Sequence, residues 1–215
     1  MKKYGTKRHA NNILAQLDIM YPAAACALTY ESPLQLLIST ILSAQCTDIR
    51  VNMVTPALFK KYKTAADFAA ASQESLEMDI RSTGFYHNKA KNIRACCKIL
   101  AEKFEGQVPQ DMKTLVSLPG IGRKTANCVL GNAYGLSEGI TVDTHVLRLS
   151  QRIGLSTSST PEKVETDLMK IIPRDKWILV SHQLIFLGRE LCHARKPKCE
   201  ICPISECKNK KNHAS

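Results

Sequence analysis

Leu118-Pro119-Gly120-Ile121-Gly122-Arg123-Lys124-Thr125-Ala126-Asn127 decides how this chain folds. Pro119 stops one helix, Gly120 and Gly122 admit backbone angles closed to other residues, and Arg123 to Asn127 opens the next helix. The pattern predicts a helix-hairpin-helix. Amide hydrogens of a Gly-rich turn that opens a helix point outward at the positive end of the helix dipole. Gly120, Gly122 and Arg123 can therefore hold a phosphate without reading sequence. Lys124 falls in the first turn of the second helix, where the dipole and neighbouring Arg123 disfavour an ammonium and lower the cost of a free amine. That makes it a candidate nucleophile, in competition with a plain solvated lysine on a phosphate-binding helix.

Outward from the turn, the periodicity is helical and no strand pattern emerges, so the fold class is all-α. His9 to Met20 carries Ile13, Leu14, Leu17 and Met20 on one face. Ser32-Pro33 reads as an N-cap with proline at the first helical position, opening a helix to about Ala44. Further helices are predicted over Asp48 to Tyr62 with a bend at Pro56, Ala65 to Ala71, Gln73 to Arg81, and Asn88 to Phe104. Met112 to Ser117 and Arg123 to Tyr134 flank the turn. After Asp143 come helices to about Ile153, from Pro161 to Ile172, and from Asp175 to Glu190. The basic start, Lys2-Lys3 with Lys7-Arg8, and the stretch from Lys208 to Ser215 read as frayed ends.

Near the C-terminus, Cys192, Cys199, Cys202 and Cys207 are spaced C-x6-C-x2-C-x4-C. Four thiols so close together read as metal ligands, whereas Cys26, Cys46, Cys96, Cys97 and Cys128 are dispersed along apolar or helical segments and read as free structural cysteines. An odd total of nine cysteines and a start without signal-peptide character point to a reducing cytosol, not a disulfide framework. Spacing alone leaves zinc and an iron-sulfur cluster both open. A zinc ribbon usually offers two close pairs, and here only Cys199 and Cys202 form one, which favours the cluster. Between the first two ligands, Arg195, Lys196 and Lys198 form a cationic loop suited to touching phosphate.

Composition bounds the partner. Thirty Lys plus Arg against 19 Asp plus Glu give a net charge of +11 spread along the chain, which predicts a polyanionic partner. The longest apolar stretch, Leu34 to Leu42, is about half a bilayer span and is interrupted by polar residues, so no membrane role is predicted.

LPGIGRKTAN at 118–127, VDTHVLR at 142–148 and the four-cysteine loop together resemble the endonuclease III family of DNA glycosylases. The resemblance extends to Leu42-Ser43-Ala44-Gln45-Cys46-Thr47-Asp48 and to Gly84-Phe85-Tyr86-His87-Asn88-Lys89-Ala90, in the family's order. It implies a six-helix domain over residues 26–136 and a discontinuous cluster domain from residues 1–25 and 137–215, with a DNA cleft between them. It also implies a 4Fe-4S cluster on Cys192, Cys199, Cys202 and Cys207. The last ligand spacing, four residues where five is usual, departs from the family and tightens the final turn.

The implied reaction removes oxidised pyrimidines from duplex DNA, then cleaves the strand at the abasic sugar. Cleaving an N-glycosidic bond builds positive charge on the deoxyribose, which a carboxylate such as Asp143 stabilises while it relieves the attacking Lys124 amine of a proton. Asp143 before Thr-His-Val is also a good helix N-cap, and both roles can hold together. His145 is assigned no step. By resemblance Gln45 fills the hole left by the flipped base and Phe85 wedges between base pairs. The competing readings are a helix C-terminal cap for Gln45 and core packing for Phe85 and Tyr86. The whole protein is expected to act as a monomer. Two other functions remain open: a monofunctional glycosylase of the same superfamily, against which Lys124 argues, and a non-catalytic zinc-stabilised DNA-binding protein.

Overall fold

Short polar caps start most of the helices. A computed structural model of the chain describes residues 4–209, and among those residues it forms α-helices and two 3-10 turns without a strand. The helices are α1 Lys7–Met20, α2 Pro33–Leu42, α3 Asp48–Lys61, α4 Ala65–Ala70, α5 Gln73–Ile80, α6 Tyr86–Lys103, α7 Met112–Ser117, α8 Arg123–Tyr134, α9 Thr144–Ile153, α10 Pro161–Ile171 and α11 Trp177–Glu190. Thr6, Ser32, Thr47, Thr64, Ser72, Asp111 and Asp143 each accept a backbone N–H from three residues on, starting α1 to α5, α7 and α9. Such a cap satisfies one of the N–H groups that a helix start leaves without a partner.

Several boundaries differ from the sequence reading, each for a local reason. α2 stops at Leu42 rather than near Ala44: the Ser43 hydroxyl donates back to the Thr40 carbonyl at 2.9 Å, and the chain then passes into the left-handed region at Gln45. α6 starts at Tyr86, two residues before Asn88, because Phe85 takes the N-cap position with φ 49° and its carbonyl accepts the Lys89 N–H at 3.1 Å. Arg174–Lys176 forms a 3-10 turn and α11 follows at Trp177. Pro56 is accommodated inside α3. Lys2, Lys3 and residues 210–215 lie outside the described residues, but Lys7 and Arg8 belong to α1, not to a frayed end. The Lys208 and Asn209 N–H groups are likewise tied down, donating to the Ile153 and Arg152 carbonyls at 3.2 and 3.1 Å.

The chain divides into two compact units. One is Cys26–Leu136; the other joins the segment ending at Ala25 to the segment starting at Ser137. In the first, α2 contributes Leu36, Leu37, Ile38 and Leu42, all fully buried, and these share a core with Ile93 and Leu100 of α6 and Val129 and Leu130 of α8. In the second, Ile13 and Leu17 of α1 pack with Val146 and Leu149 of α9 and Val180 and Leu184 of α11. Burying each such side chain contributes about 1.5–3 kcal/mol. α9 and α11 approach closely at Gly188, where an added Cβ would stand 2.7 Å from His145 Nδ1.

Candidate functional site

Asp111 caps α7 through the Thr114 N–H at 2.8 Å, and the Ile121 N–H closes the hairpin turn onto the Leu118 carbonyl at 3.2 Å. Gly120 is required twice over. Its φ is 77°, and a Cβ there would meet the Asn92 Cβ at 2.8 Å. Gly122 corrects the sequence reading. Its φ of −92° and ψ of 172° are extended backbone open to any residue, and a Cβ would point into space with nothing within 4 Å. Neither backbone angle nor packing within the chain therefore requires glycine at Gly122. The N-cap of α8 is Gly122, which supplies no side-chain hydrogen bond to the helix start, unlike Asp111 at α7 and Asp143 at α9. Ala126, Val129 and Leu130 bury its inner face, while Arg123 and Lys124 are exposed on the outer one.

Cys26 and Cys128, read from sequence as unrelated structural thiols, are a hydrogen-bonded pair, with Cys128 one helical turn beyond Lys124. The bond from Cys26, with those from Thr40 and Asn132 and the charge of Lys124, pulls the Cys128 thiol below its ordinary value against the effect of burial. The same bond and burial push Cys26 up. Burial alone accounts for Cys96, whose thiol is pushed up to about 12.

Gln45 and Phe85 also lie in the Cys26–Leu136 unit. Both are exposed and both hold positive φ, 52° and 49°. Left-handed backbone at a residue other than glycine costs of order 1–3 kcal/mol and concentrates at functional positions. Phe85 is 62% exposed, which excludes core packing for its ring, while Tyr86 turns inward to the core. Gln45 stands beyond the α2 C-cap at Ser43 and does not itself cap the helix.

Asp143 belongs to the other unit, where its carboxylate accepts the Val146 N–H at 2.8 Å and starts α9. His145, two residues on, lies against α11, with its Nδ1 3.2 Å from the Arg148 guanidinium. Burial pulls its pKa down, opposed by the Asp143 charge and reinforced by Arg148 and Arg189.

In the same unit, Cys192, Cys199, Cys202 and Cys207 line one cavity with Ile153, Leu187, Leu191, Pro197 and Ile204. The shortened final spacing thus brings Cys207 to the other three. Four thiols lining one cavity are a donor set that fits an iron-sulfur cluster. The loop is held from α9 by two arginines that sequence reasoning passed over. Arg152 donates to the His193 and Ala194 carbonyls at 2.6 and 2.7 Å and to Cys192 Sγ at 3.6 Å. Arg148 donates to the Cys192 carbonyl at 2.9 Å. Their spacing of four places them on one helix face, the only signal available in the sequence. Arg195, Lys196 and Lys198 are exposed on the loop, Lys196 with φ 52°.

Residues 38–174 match the model of the HhH-GPD superfamily of base excision DNA repair proteins. Residues 192–206 match the iron-sulfur binding domain of endonuclease III. The chain is 51% identical over 204 residues to endonuclease III of Synechocystis sp., covering 95% of this chain and 93% of that one. It is 40% identical over 194 residues to the Escherichia coli K12 enzyme, covering 90% and 92%. Among solved structures, a non-covalent endonuclease III–DNA complex superposes with a TM-score of 0.92 at 45% identity, covering 97% of this chain and 98% of that one. A trapped endonuclease III–DNA covalent intermediate superposes equally well, with a TM-score of 0.92 at 45% identity, covering 98% and 99%. With its hairpin, its cysteine-lined cavity and matches along nearly its whole length, the chain belongs to the endonuclease III family.

Proposed function

We propose that the protein excises oxidised pyrimidines from duplex DNA as a monomer, with Lys124 as the nucleophile and Asp143 as the carboxylate at the sugar. As a member of the endonuclease III family it is a bifunctional DNA glycosylase and abasic-site lyase carrying a 4Fe-4S cluster.

The Lys124 amine attacks C1′ while the glycosidic bond breaks and the damaged base leaves with the bonding electrons. Asp143 stabilises the positive charge that grows on the sugar and takes a proton from the attacking amine. The nitrogen lone pair then opens the sugar ring, breaking the C1′–O4′ bond as the proton held by Asp143 passes to O4′; the iminium so formed acidifies the neighbouring C2′ proton, whose loss expels the 3′ phosphate by β-elimination. A water nucleophile would stop at an abasic sugar, so strand cleavage calls for an amine. Gln45 occupies the space of the flipped nucleotide and Phe85 wedges the stack. Gly120, Gly122 and Arg123 receive phosphate at the start of α8. Cys192, Cys199, Cys202 and Cys207 would hold the 4Fe-4S cluster, and ligation at Cys192 and Cys199 would fix both ends of the loop that offers Arg195, Lys196 and Lys198 to phosphate.

The observation that carries this reading is the exposed Lys124 amine in the first turn of a helix whose inner face is anchored in a core. The test is borohydride trapping on a duplex containing one thymine glycol. Lys124→Ala abolishes the protein–DNA adduct yet binds the duplex within about tenfold, since one phosphate-level contact is worth about 1 kcal/mol. Undiminished trapping refutes the assignment.

A further inference from the structure

Lys89 is a buried lysine, 4% exposed, and it joins two loops. Its ammonium donates to the Leu42 carbonyl at 2.7 Å and to the Thr83 carbonyl at 2.9 Å. Its backbone N–H donates to the Phe85 carbonyl at 3.1 Å. Leu42 is the last residue of α2, three before Gln45, and Thr83 lies two before Phe85. One side chain therefore ties the loop carrying Gln45 to the loop carrying Phe85.

Burying an ammonium is expensive, and an apolar side chain of similar length would fill the space without that cost. Burial pulls the Lys89 pKa down, partly countered by Cys46. What a charge adds over an apolar filler is a pair of strong hydrogen bonds to two carbonyls from separate segments. Each of those segments holds an exposed side chain on left-handed backbone beside a helix end, Gln45 in one and Phe85 in the other. A plug and a wedge that enter one base stack together need a set separation. Two strained turns held only by their own backbone would drift independently.

We infer that Lys89 is a positioning residue that locks the Gln45 and Phe85 loops at a fixed spacing, so that the two side chains engage DNA as one unit. This rests on the intercalating roles proposed above for Gln45 and Phe85.

A double-mutant cycle tests it. Single-turnover base excision from a duplex with one thymine glycol is measured for Gln45→Ala, Phe85→Ala and the double variant, first with Lys89 intact and then with Lys89→Met. With Lys89 intact, the double variant loses less than the product of the two single losses, by at least about threefold, as for residues that share one supporting contact. With Lys89→Met the losses multiply. A merely structural role would lower all four rates by one factor and leave the coupling unchanged, which overturns the inference. So does multiplicative behaviour with Lys89 intact, a result that decides the matter even where Lys89→Met fails to fold. Single substitutions without any effect would instead remove the intercalating roles themselves, and the inference with them. Borohydride trapping by the unaltered protein on the same duplex reports separately on Lys124.

Discussion

Gly120 and Gly122 sit two residues apart in one turn and should fail for opposite reasons when changed to alanine. At Gly120 the left-handed φ of 77° costs a side-chain-bearing residue about 1–2 kcal/mol. The new Cβ also lands 2.8 Å from the Asn92 Cβ, an atom fixed to the α6 backbone that no rotamer change can move. Overpacking of that sort adds about 1–3 kcal/mol. Gly120→Ala should thus destabilise by about 2–5 kcal/mol, lowering the melting temperature by roughly 4–20 °C in a chain of this size. Gly122 already has extended backbone, and its Cβ would meet nothing. Alanine there loses some N-cap preference but restricts the unfolded chain, two effects of about 0.5–1 kcal/mol that oppose each other. Gly122→Ala should melt within a few degrees of the unaltered protein and yet bind duplex about tenfold more weakly, because the methyl group fills the side on which phosphate approaches. Far-ultraviolet circular dichroism on heating and fluorescence anisotropy at one fixed salt concentration separate the two quantities. Gly122→Ala melting as early as Gly120→Ala, or Gly120→Ala melting with the unaltered protein, would refute the reasoning.

Asp143→Asn keeps a good N-cap and removes the charge, so base release should fall by about a hundredfold or more with little change in melting or DNA affinity; a collapse of either would make the residue a structural cap alone. Arg152→Met removes the donors to the His193 and Ala194 carbonyls, and hydrogen bonds from a charged group are each worth about 1.5–3 kcal/mol. Its visible iron-sulfur absorption should bleach at least severalfold faster in air, and equal bleaching counts against the support given from α9. The Thr114 N–H holds the Asp111 carboxyl below its usual value. A depressed carboxyl stabilises fully above its unfolded value, about 3.9, and that contribution is lost as pH falls through the folded value. The melting advantage of the unaltered protein over Asp111→Asn should therefore shrink as the pH is lowered below about 4, and a gap that stays constant down to pH 2 would contradict it.

The hairpin, the Ser32 and Asp143 caps and the clustering of four thiols near the C-terminus were legible in the sequence alone. α7 and α8 begin and end where their signals place them, at Met112–Ser117 and Arg123–Tyr134, because an Asp cap, a proline and a glycine act on the backbone within one turn. Gly122 resembled Gly120 in the sequence, and only the folded turn distinguished a glycine required by its own φ from one that leaves room for something else. Lys89 was legible as part of a motif, but not as a clamp, since one of its partners is a carbonyl 47 residues away. Arg152 likewise finds its carbonyls 41 and 42 residues on, and Cys26 finds Cys128 across the length of a unit. A carbonyl is identical in every residue, so the sequence cannot say which one a buried lysine or arginine will reach. That choice is made when apolar faces pack, exclude water and leave each buried donor to find its acceptor among the groups the fold has brought near.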